Sequence, residues 1–409
     1  MTEANRSLTK QIERFRDSTI LRLLIPLLMI LLLRLLGGML LYSWLGIKNT
    51  NSYWMWASSG SEGQSDILKL EPNGANRWFY LFVGWDSAWY LSISAKGYAF
   101  STQSYALFPA LPFFTWLANS LLQNPLLAIV LVSTLAGVAW IPLYQLAIEE
   151  YVGRQNALRA TLLFAFFPYV FLFTTVAYSE GLFLFGTIGA WLSFKKGKML
   201  IAMAFASVAS ISRPTGLLIL LPMIVEILQT NKPAGDSTKY KRLLFLTVPL
   251  ASFFSWLLYC KTLTDDWMAP FDRTHWDDTF SLWTIVSKTI PTGGLPALQQ
   301  RFQAQLSDLY QLLPIIAFLF LPIFLFRPLS RLNRGLAVYS AACFVGFVFF
   351  GSLASLPRFV SFLYPMSIPI VHNLAQARHS ILLALMICLS SCLVSLFLWH
   401  AFLNGQFIA

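Results

Sequence analysis

Long apolar runs recur through this sequence from residue 20 to the C-terminus, and each is roughly 20 residues long, the length that crosses a bilayer as a helix. Hydrophobic residues make up 57% of the chain and charged residues only 11%, whereas a soluble domain carries about 25% charged residues. These two features exclude a soluble globular protein. They predict an all-α polytopic membrane protein in which residues 1–409 form one membrane-embedded domain.

The first apolar run begins near Ile20, after a charged N-terminal segment. It has no small-residue cleavage site and it contains Arg34, so we interpret it as a retained span rather than a signal peptide. Arg34 lies about midway along that span, a depth at which ionisable side chains usually face a polar cavity.

The formal net charge of +11 does not indicate a nucleic-acid partner, because the basic residues form no single stripe. They cluster at alternate ends of the apolar runs, as expected when Lys and Arg favour the cytoplasmic loops of a membrane protein. The clusters assigned to the cytoplasm are the N-terminus (1–21), "RQNALR", "KKGK", "NKPAGDSTKYKR", "RPLSRLNR" and Arg378. This alternation predicts the orientation of every span.

Keeping all of these clusters on one side requires that segment 106–122 does not cross the membrane. Pro109, Pro112 and Trp116 suit a helix that lies flat on the outer surface better than a spanning one. The first extracytoplasmic loop then covers residues 43–125. About eleven spans remain, at residues 22–42, 126–148, 158–174, 180–195, 199–212, 215–230, 243–260, 309–326, 335–353, 359–374 and 380–401.

Several polar residues are predicted to lie together on the outer face. The stretch "FVGWDSAWYL" places Asp86 between Trp85 and Trp89 in the first loop. Three short turns and a second large loop at 261–308 contribute Tyr178, Glu180, Arg213, His275 and Arg358. The two arginines run against the cytoplasmic bias of basic residues. They suit an anionic, phospholipid-like substrate, because Arg can hold phosphate through two parallel hydrogen bonds.

Each of these signals also has a structural interpretation. Asp86 could cap a surface helix that begins with "SAWYLSI", and Trp85, Trp89 and Tyr90 could be interface anchors. Glu180 could cap a helix or form an ion pair, and Arg213 and Arg358 could pair with lipid headgroups. The acids of 265–278 could belong to a solvated loop. Cys388 and Cys392 could be packing residues rather than metal ligands.

Four strings in order give the sequence a family resemblance. "WDSAWYLSISAKGY", followed at once by "YALFPALPFF", resembles the first signature of the PIG-V family of mannosyltransferases. "FPYVFLFTTVAYSEGLF" is similar to the second, and "ASISRPTGLL" to the third. "LPRFVSFLYP" is similar to a fourth, with Phe359 where the family usually has Tyr. The resemblance covers residues 85–365.

This resemblance implies a GT-C glycosyltransferase fold, a helical bundle whose first extracytoplasmic loop carries surface-lying helices and the catalytic acid. It implies a polyprenyl-phosphate sugar donor, with mannose as the expected sugar, and a lipid or glycan acceptor. Asp86 would be the general base and the reaction would invert the anomeric carbon. The resemblance and the chemistry of the donor together assign Arg213 and Arg358 to the phosphate, Trp85, Trp89 and Tyr90 to the sugar, and Tyr178, Glu180 and His275 to binding or positioning of substrate.

No cofactor is expected, and no dense metal-ligand motif is present, although Asp86, Glu180 and His275 could converge. A lipid-linked sugar flippase or a ligase for preassembled glycans would share the composition and the outer arginines. The single Asn-x-Ser/Thr sequon, "NRS" at residue 5, falls on the predicted cytoplasmic side. We therefore expect a bacterial plasma membrane, with the active site extracytoplasmic, rather than the endoplasmic reticulum.

Overall fold

The structure is a computed structural model that describes residues 19–45, 77–229, 237–271, 296, 309–376 and 380–404. These ranges are helical and contain no strand. The α-helices are α1 (Thr19–Leu40), α2 (Asp86–Lys96), α3 (Ala110–Leu122), α4 (Pro125–Val152), α5 (Arg154–Ala165), α6 (Pro168–Thr175), α7 (Glu180–Lys195), α8 (Met199–Ser212), α9 (Leu220–Gln229), α10 (Ser237–Phe245), α11 (Thr247–Thr264), α12 (Leu309–Leu332), α13 (Arg334–Phe350), α14 (Leu356–Ser361), α15 (Ser367–Gln376) and α16 (Ser380–Leu403).

Among the described residues, five helical segments are long and apolar enough to cross a membrane, and a sixth is added if a bent pair counts as one span. The segments are Ile20–Ser43, Pro125–Val152, Tyr240–Thr264, Leu313–Leu332 and Ile381–Leu403, and the bent pair is α5 with α6. The expectation of an all-helical, multi-pass membrane protein is therefore confirmed, while the count of eleven spans stays a prediction.

Two of the predicted spans are broken rather than straight. Segment 158–174 divides into α5 and α6, which meet at an angle of 71°. Segment 359–374 divides into the end of α14, a 3-10 turn at Tyr364–Met366 and α15. Both breaks are followed by a proline near the start of the next helix, Pro168 and Pro365. Proline has no backbone N–H to continue the preceding helix, but it is well accommodated in a first turn.

Helix α3 covers most of the segment predicted to lie on the surface. Its 13 residues extend about 20 Å, which is less than the roughly 30 Å of a hydrocarbon core. It buries Leu111 and Thr115 but leaves Phe113, Trp116 and Leu121 exposed by 50%, 54% and 83%, as a helix lying in an interface would. Helices α7 and α8 are also short, so the surface position of α3 stays a prediction.

The two ends of α7 separate two groups of charged residues. Glu180, its first residue, pairs with Arg213 and Arg358, all predicted outside. Lys195, its last residue, pairs with Glu150 and Glu226, both predicted inside. The helix separates the two groups by about 22 Å. The structure thus gathers the residues of each predicted face at opposite ends of one buried helix.

The first loop has a hydrophobic core of its own beside the main bundle. Trp89, Tyr98 and Phe108 are buried there with Trp256 from α11. The rings of Tyr98 and Trp256 have centroids 4.6 Å apart. This packing fixes α2, and with it Asp86, against the bundle.

Candidate active site

Asp86 follows a tight turn with an unusual backbone. The N–H of Ser87 donates to the carbonyl of Gly84 at 2.8 Å, and between them Trp85 has φ 49° and ψ −115°. These angles are close to those of the first central position of a type II′ turn, where glycine is the favoured residue. A tryptophan held there indicates local strain, which proteins keep where function needs a fixed geometry.

The structure does not support the interpretation of Asp86 as a helix cap. Helix α2 begins at Asp86 itself, Trp85 occupies the N-cap position, and no side-chain cap hydrogen bond is made. The Asp86 carboxylate instead accepts hydrogen bonds from Arg358, through Nη1 at 3.3 Å and Nη2 at 3.4 Å. The side chain of Asp86 therefore faces the guanidinium of Arg358 rather than the first turn of its own helix.

Glu180 is the buried centre of the charged cluster. Its carboxylate has no exposed surface, and its Oε1 accepts from Arg358 Nε at 2.5 Å and from Arg213 Nη1. Its Oε2 has no hydrogen-bond partner among the described residues. Of the two alternatives for Glu180, the ion pair is the one present. Both arginines turn inward onto this carboxylate rather than outward as headgroup contacts.

Aromatic rings complete the surroundings of the two guanidinium groups. The Arg358 guanidinium carbon lies 4.5 Å from the ring centres of both Phe173 and Tyr178. Arg213 lies 4.9 Å from the ring centre of Phe359, the residue that departs from the family's usual tyrosine. Such cation–π contacts strengthen as water is excluded, so the rings hold both arginines in place.

A short segment after α6 joins the acid-bearing helix to the cluster. The backbone N–H of Asp86 donates to the Tyr178 hydroxyl at 3.2 Å, and Tyr90 donates its hydroxyl to Ser179 Oγ at 3.1 Å. Burial raises the pKa of Tyr90, and the Asp86 and Glu180 carboxylates raise it further. Tyr90 therefore remains a protonated donor at neutral pH.

The three aromatic residues assigned to the sugar differ in how far their side chains are buried. Trp89 is only 2% exposed and packs beside Phe100, with ring centroids 6.0 Å apart. Tyr90 is also buried. Trp85 is half-buried and packs against the main core. Trp85 is therefore the one of the three best placed to meet a ligand beside Asp86, and all three roles stay predictions.

The cluster combines two positive and two negative side chains, with the carboxylate of Asp86 the most accessible. Its side chain is 29% exposed, against 0% for Glu180, 11% for Arg358 and 16% for Arg213. Such a group can accept a proton at its accessible carboxylate. Its arginines can donate hydrogen bonds to the oxygens of an anion beside it.

His275 and most of the loop at 261–308 lie outside the described residues. Within the described ranges, no group of three or more His, Cys, Asp and Glu side chains could hold a metal ion. Asp265, in the described part of that loop, is exposed and pairs with Lys261 at 2.6 Å. Its carboxylate is separate from the cluster around Glu180.

Sequence reasoning missed several residues that shape the site. Ser87 donates its hydroxyl to the carbonyl of Ala177 at 3.0 Å, and Phe173 supports Arg358. Ser87 and Ser179 stand inside the strings "WDSAW" and "AYSEG", directly beside predicted site residues. Nothing in the local pattern distinguished Phe173 from the other apolar residues of α6.

Comparison with known proteins gives one family match and one structural match. The family model described as Mannosyltransferase (PIG-V) matches residues 29–265, more than half of the chain. No curated protein matches. A crystal structure of ArnT from Cupriavidus metallidurans bound to undecaprenyl phosphate aligns with a TM-score of 0.43 and 13% identity, covering 87% of this chain and 74% of that one.

Proposed function

This chain belongs to the PIG-V family of mannosyltransferases, and we propose that it transfers mannose from a polyprenyl-phosphate donor to a lipid or glycan acceptor. The observation that carries the proposal is the contact of one accessible carboxylate, Asp86, with Arg358, which a buried glutamate, Glu180, fixes beside Arg213. A base for the incoming hydroxyl and cations for the departing phosphate are the two requirements of this transfer.

In the proposed step, the acceptor hydroxyl gives its proton to the Asp86 carboxylate. Its oxygen forms a bond to the anomeric carbon of the sugar, while the bond from that carbon to the phosphate oxygen breaks. The electron pair of the broken bond stays on the phosphate, so polyprenyl phosphate leaves with one additional negative charge. A single displacement of this kind inverts the anomeric carbon.

Arg358 has two roles in this proposal, because its nitrogens are divided between partners. Its Nε is held by Glu180, while Nη1 and Nη2 face Asp86. A donor phosphate that takes hydrogen bonds from Nη1 and Nη2 competes with Asp86 for them. Donor binding thereby frees the Asp86 carboxylate to act as a base. Arg213 adds a second cation for the charge that develops on the leaving group.

We place the reaction at the extracytoplasmic face of a bacterial plasma membrane. Support comes from the distribution of charge along α7, where Glu180 joins residues predicted outside and Lys195 joins residues predicted inside. Trp85 is proposed to contact the sugar. Trp89 and Tyr90 are proposed to hold α2 in position behind it, and His275 is proposed to contact donor or acceptor.

The direct test uses the purified protein in nanodiscs, radiolabelled polyprenyl-phosphate mannose and a membrane lipid extract as acceptor. We expect release of polyprenyl phosphate together with a mannosylated product of the opposite anomeric configuration. In a parallel assay with proteoliposomes, movement of intact donor across the bilayer without cleavage would instead indicate a flippase. Absence of both transfer and donor cleavage, with several lipid extracts, would contradict the proposal.

Arg213 tests the phosphate assignment within the same assay. Arg213→Ala removes a charge-assisted partner, so the KM for donor should rise, and Arg213→Lys should restore it only in part because an ammonium lacks the planar fork. Arg331→Ala, at an exposed arginine of α12, is the control. Equal KM values in Arg213→Ala and the control would remove Arg213 from the donor site.

A further inference from the structure

Arg34 is a buried cation that the proposed reaction does not use. It lies in α1 with 3% of its surface exposed, and no acidic side chain of the described ranges forms an ion pair with it. Its Nε and Nη1 have no hydrogen-bond partner among the described residues. An arginine buried in a membrane bundle is costly, and such residues are typically kept for function.

The partners of Arg34 belong to the end of α6 and to α4. Nη2 donates to Thr174 Oγ1 at 2.5 Å and to the carbonyl of Gly137 at 3.2 Å. Thr174 Oγ1 donates in turn to the carbonyl of Val170 at 2.7 Å. Positive charge at the C-terminal end of a helix is favourable, because the unpaired carbonyls there carry partial negative charge. Arg34 therefore fixes the end of α6 against α4.

The residues on both sides of Thr174 contact the proposed site. Phe173 lies under the Arg358 guanidinium, with 4.5 Å between them. Ala177 accepts the hydroxyl of Ser87, and its N–H donates to the carbonyl of Phe82 at 2.6 Å. Tyr178 accepts the N–H of Asp86. A shift at Thr174 would thus reach both the base and the phosphate-binding arginine.

Close packing around Gly137 leaves little freedom for that segment. A Cβ at Gly137 would lie 2.0 Å from the carbonyl oxygen of Thr174 and 3.1 Å from Arg34 Nη1. A Cβ at Gly181 would lie 2.8 Å from the Gly137 nitrogen. Helices α4, α6 and α7 therefore meet at one point, and Arg34 contributes the hydrogen bonds there.

We propose that Arg34 is a positioning residue that sets the geometry of segment 173–180 and, through it, of Asp86 and Arg358. The assignment rests on the proposed function, since it concerns the same site. The predicted consequence is specific. Loss of the Arg34–Thr174 hydrogen bond lowers kcat, because a misplacement of about 1 Å is enough to lower a rate up to a hundredfold.

Two neighbouring threonines provide a matched comparison. Thr174 and Thr175 are both buried and each donates its hydroxyl back to α6, Thr175 to the carbonyl of Phe171 at 2.6 Å. Only Thr174 also accepts from Arg34. Thr174→Val should reduce kcat about tenfold or more, Thr174→Ser should restore it, and Thr175→Val should stay within about twofold of wild type.

Arg34→Met supplies a second test that does not depend on the threonines. It replaces an incompletely paired buried charge by an apolar side chain of similar length, so thermal stability should stay unchanged or rise, while kcat falls. Arg34→Lys should recover part of kcat, because it keeps the charge but not the fork. A wild-type kcat in Arg34→Met would overturn the assignment.

Hydrogen exchange tests the positioning role of Arg34 even if no transfer activity is found. Backbone amides of residues 176–183 should exchange faster in Thr174→Val and Arg34→Met than in wild type, and should not do so in Thr175→Val. A wild-type protein without transferase activity would contradict the proposed function alone. Unchanged exchange and kcat in Thr174→Val would contradict the role of Arg34 alone.

Discussion

Both terminal nitrogens of Arg358 lie within hydrogen-bond distance of one oxygen of Asp86, at 3.3 and 3.4 Å, across 272 residues of sequence. In the proposed reaction the same two nitrogens receive the donor phosphate. Asp86 and phosphate are therefore competitors for one guanidinium face. This competition has a measurable consequence for affinity.

Asp86→Asn should bind polyprenyl phosphate more tightly than wild type. The substitution removes the negative charge that occupies Arg358. Because a hydrogen bond to a charged group contributes about 1.5–3 kcal/mol, the Kd for polyprenyl phosphate should fall roughly tenfold or more. Titration calorimetry with a short-chain polyprenyl phosphate in detergent measures it. Equal or weaker binding by Asp86→Asn would show that the two anions do not compete.

The meeting of Asp86, Glu180, Arg213 and Arg358 could be predicted only coarsely from sequence. Charge alternation placed all four on one face, and the family resemblance assigned them to one site. Neither could show that Glu180 takes both arginines, because that pairing depends on how α7, α8 and α14 pack in three dimensions. Hydropathy likewise could not show that α5 and α6 meet at an angle of 71°, because an apolar run with an internal proline is predicted as one span.

Glu180→Gln should weaken both folding and donor binding. The neutral amide leaves Arg213 and Arg358 without their shared buried counter-charge, and removing one partner of a buried ion pair costs about 3–5 kcal/mol. We expect a clear fall in the thermal midpoint of the detergent-purified protein and a higher donor KM. Glu226→Gln, a partly exposed partner of Lys195 at the other end of α7, is the control. A midpoint in Glu180→Gln equal to that of the control would contradict the buried-pair account.

The backbone at Trp85 predicts a difference between two truncations. Trp85→Ala and Trp85→Gly both remove the side chain, but only glycine adopts φ 49° without strain. The glycine variant should be more stable than the alanine variant by about 1 kcal/mol, and both should lose activity if the indole contacts the sugar. Equal thermal midpoints for the two variants would argue against strain in this turn.

Cysteine labelling tests the predicted orientation. Thr102→Cys and Gln123→Cys, both at exposed positions, flank α3 and should react from the extracytoplasmic side in a background that lacks the four native cysteines. Lys196→Cys, exposed at the other end of α7, should react only from the cytoplasmic side. Reaction of positions 102 and 123 from opposite sides would mean that α3 crosses the membrane.

The most direct test of the account is the transfer rate of Asp86→Asn with donor saturating. Asparagine preserves the shape of the side chain at the start of α2 but cannot accept the acceptor's proton, and a positioned base contributes about a hundred- to ten-thousandfold in rate. Asp265→Asn, at an exposed aspartate paired only with Lys261 among the described residues, is the control. We predict a loss of two orders of magnitude or more in Asp86→Asn, with thermal stability near wild type. A turnover within a few fold of the Asp265→Asn control would contradict Asp86 as the general base.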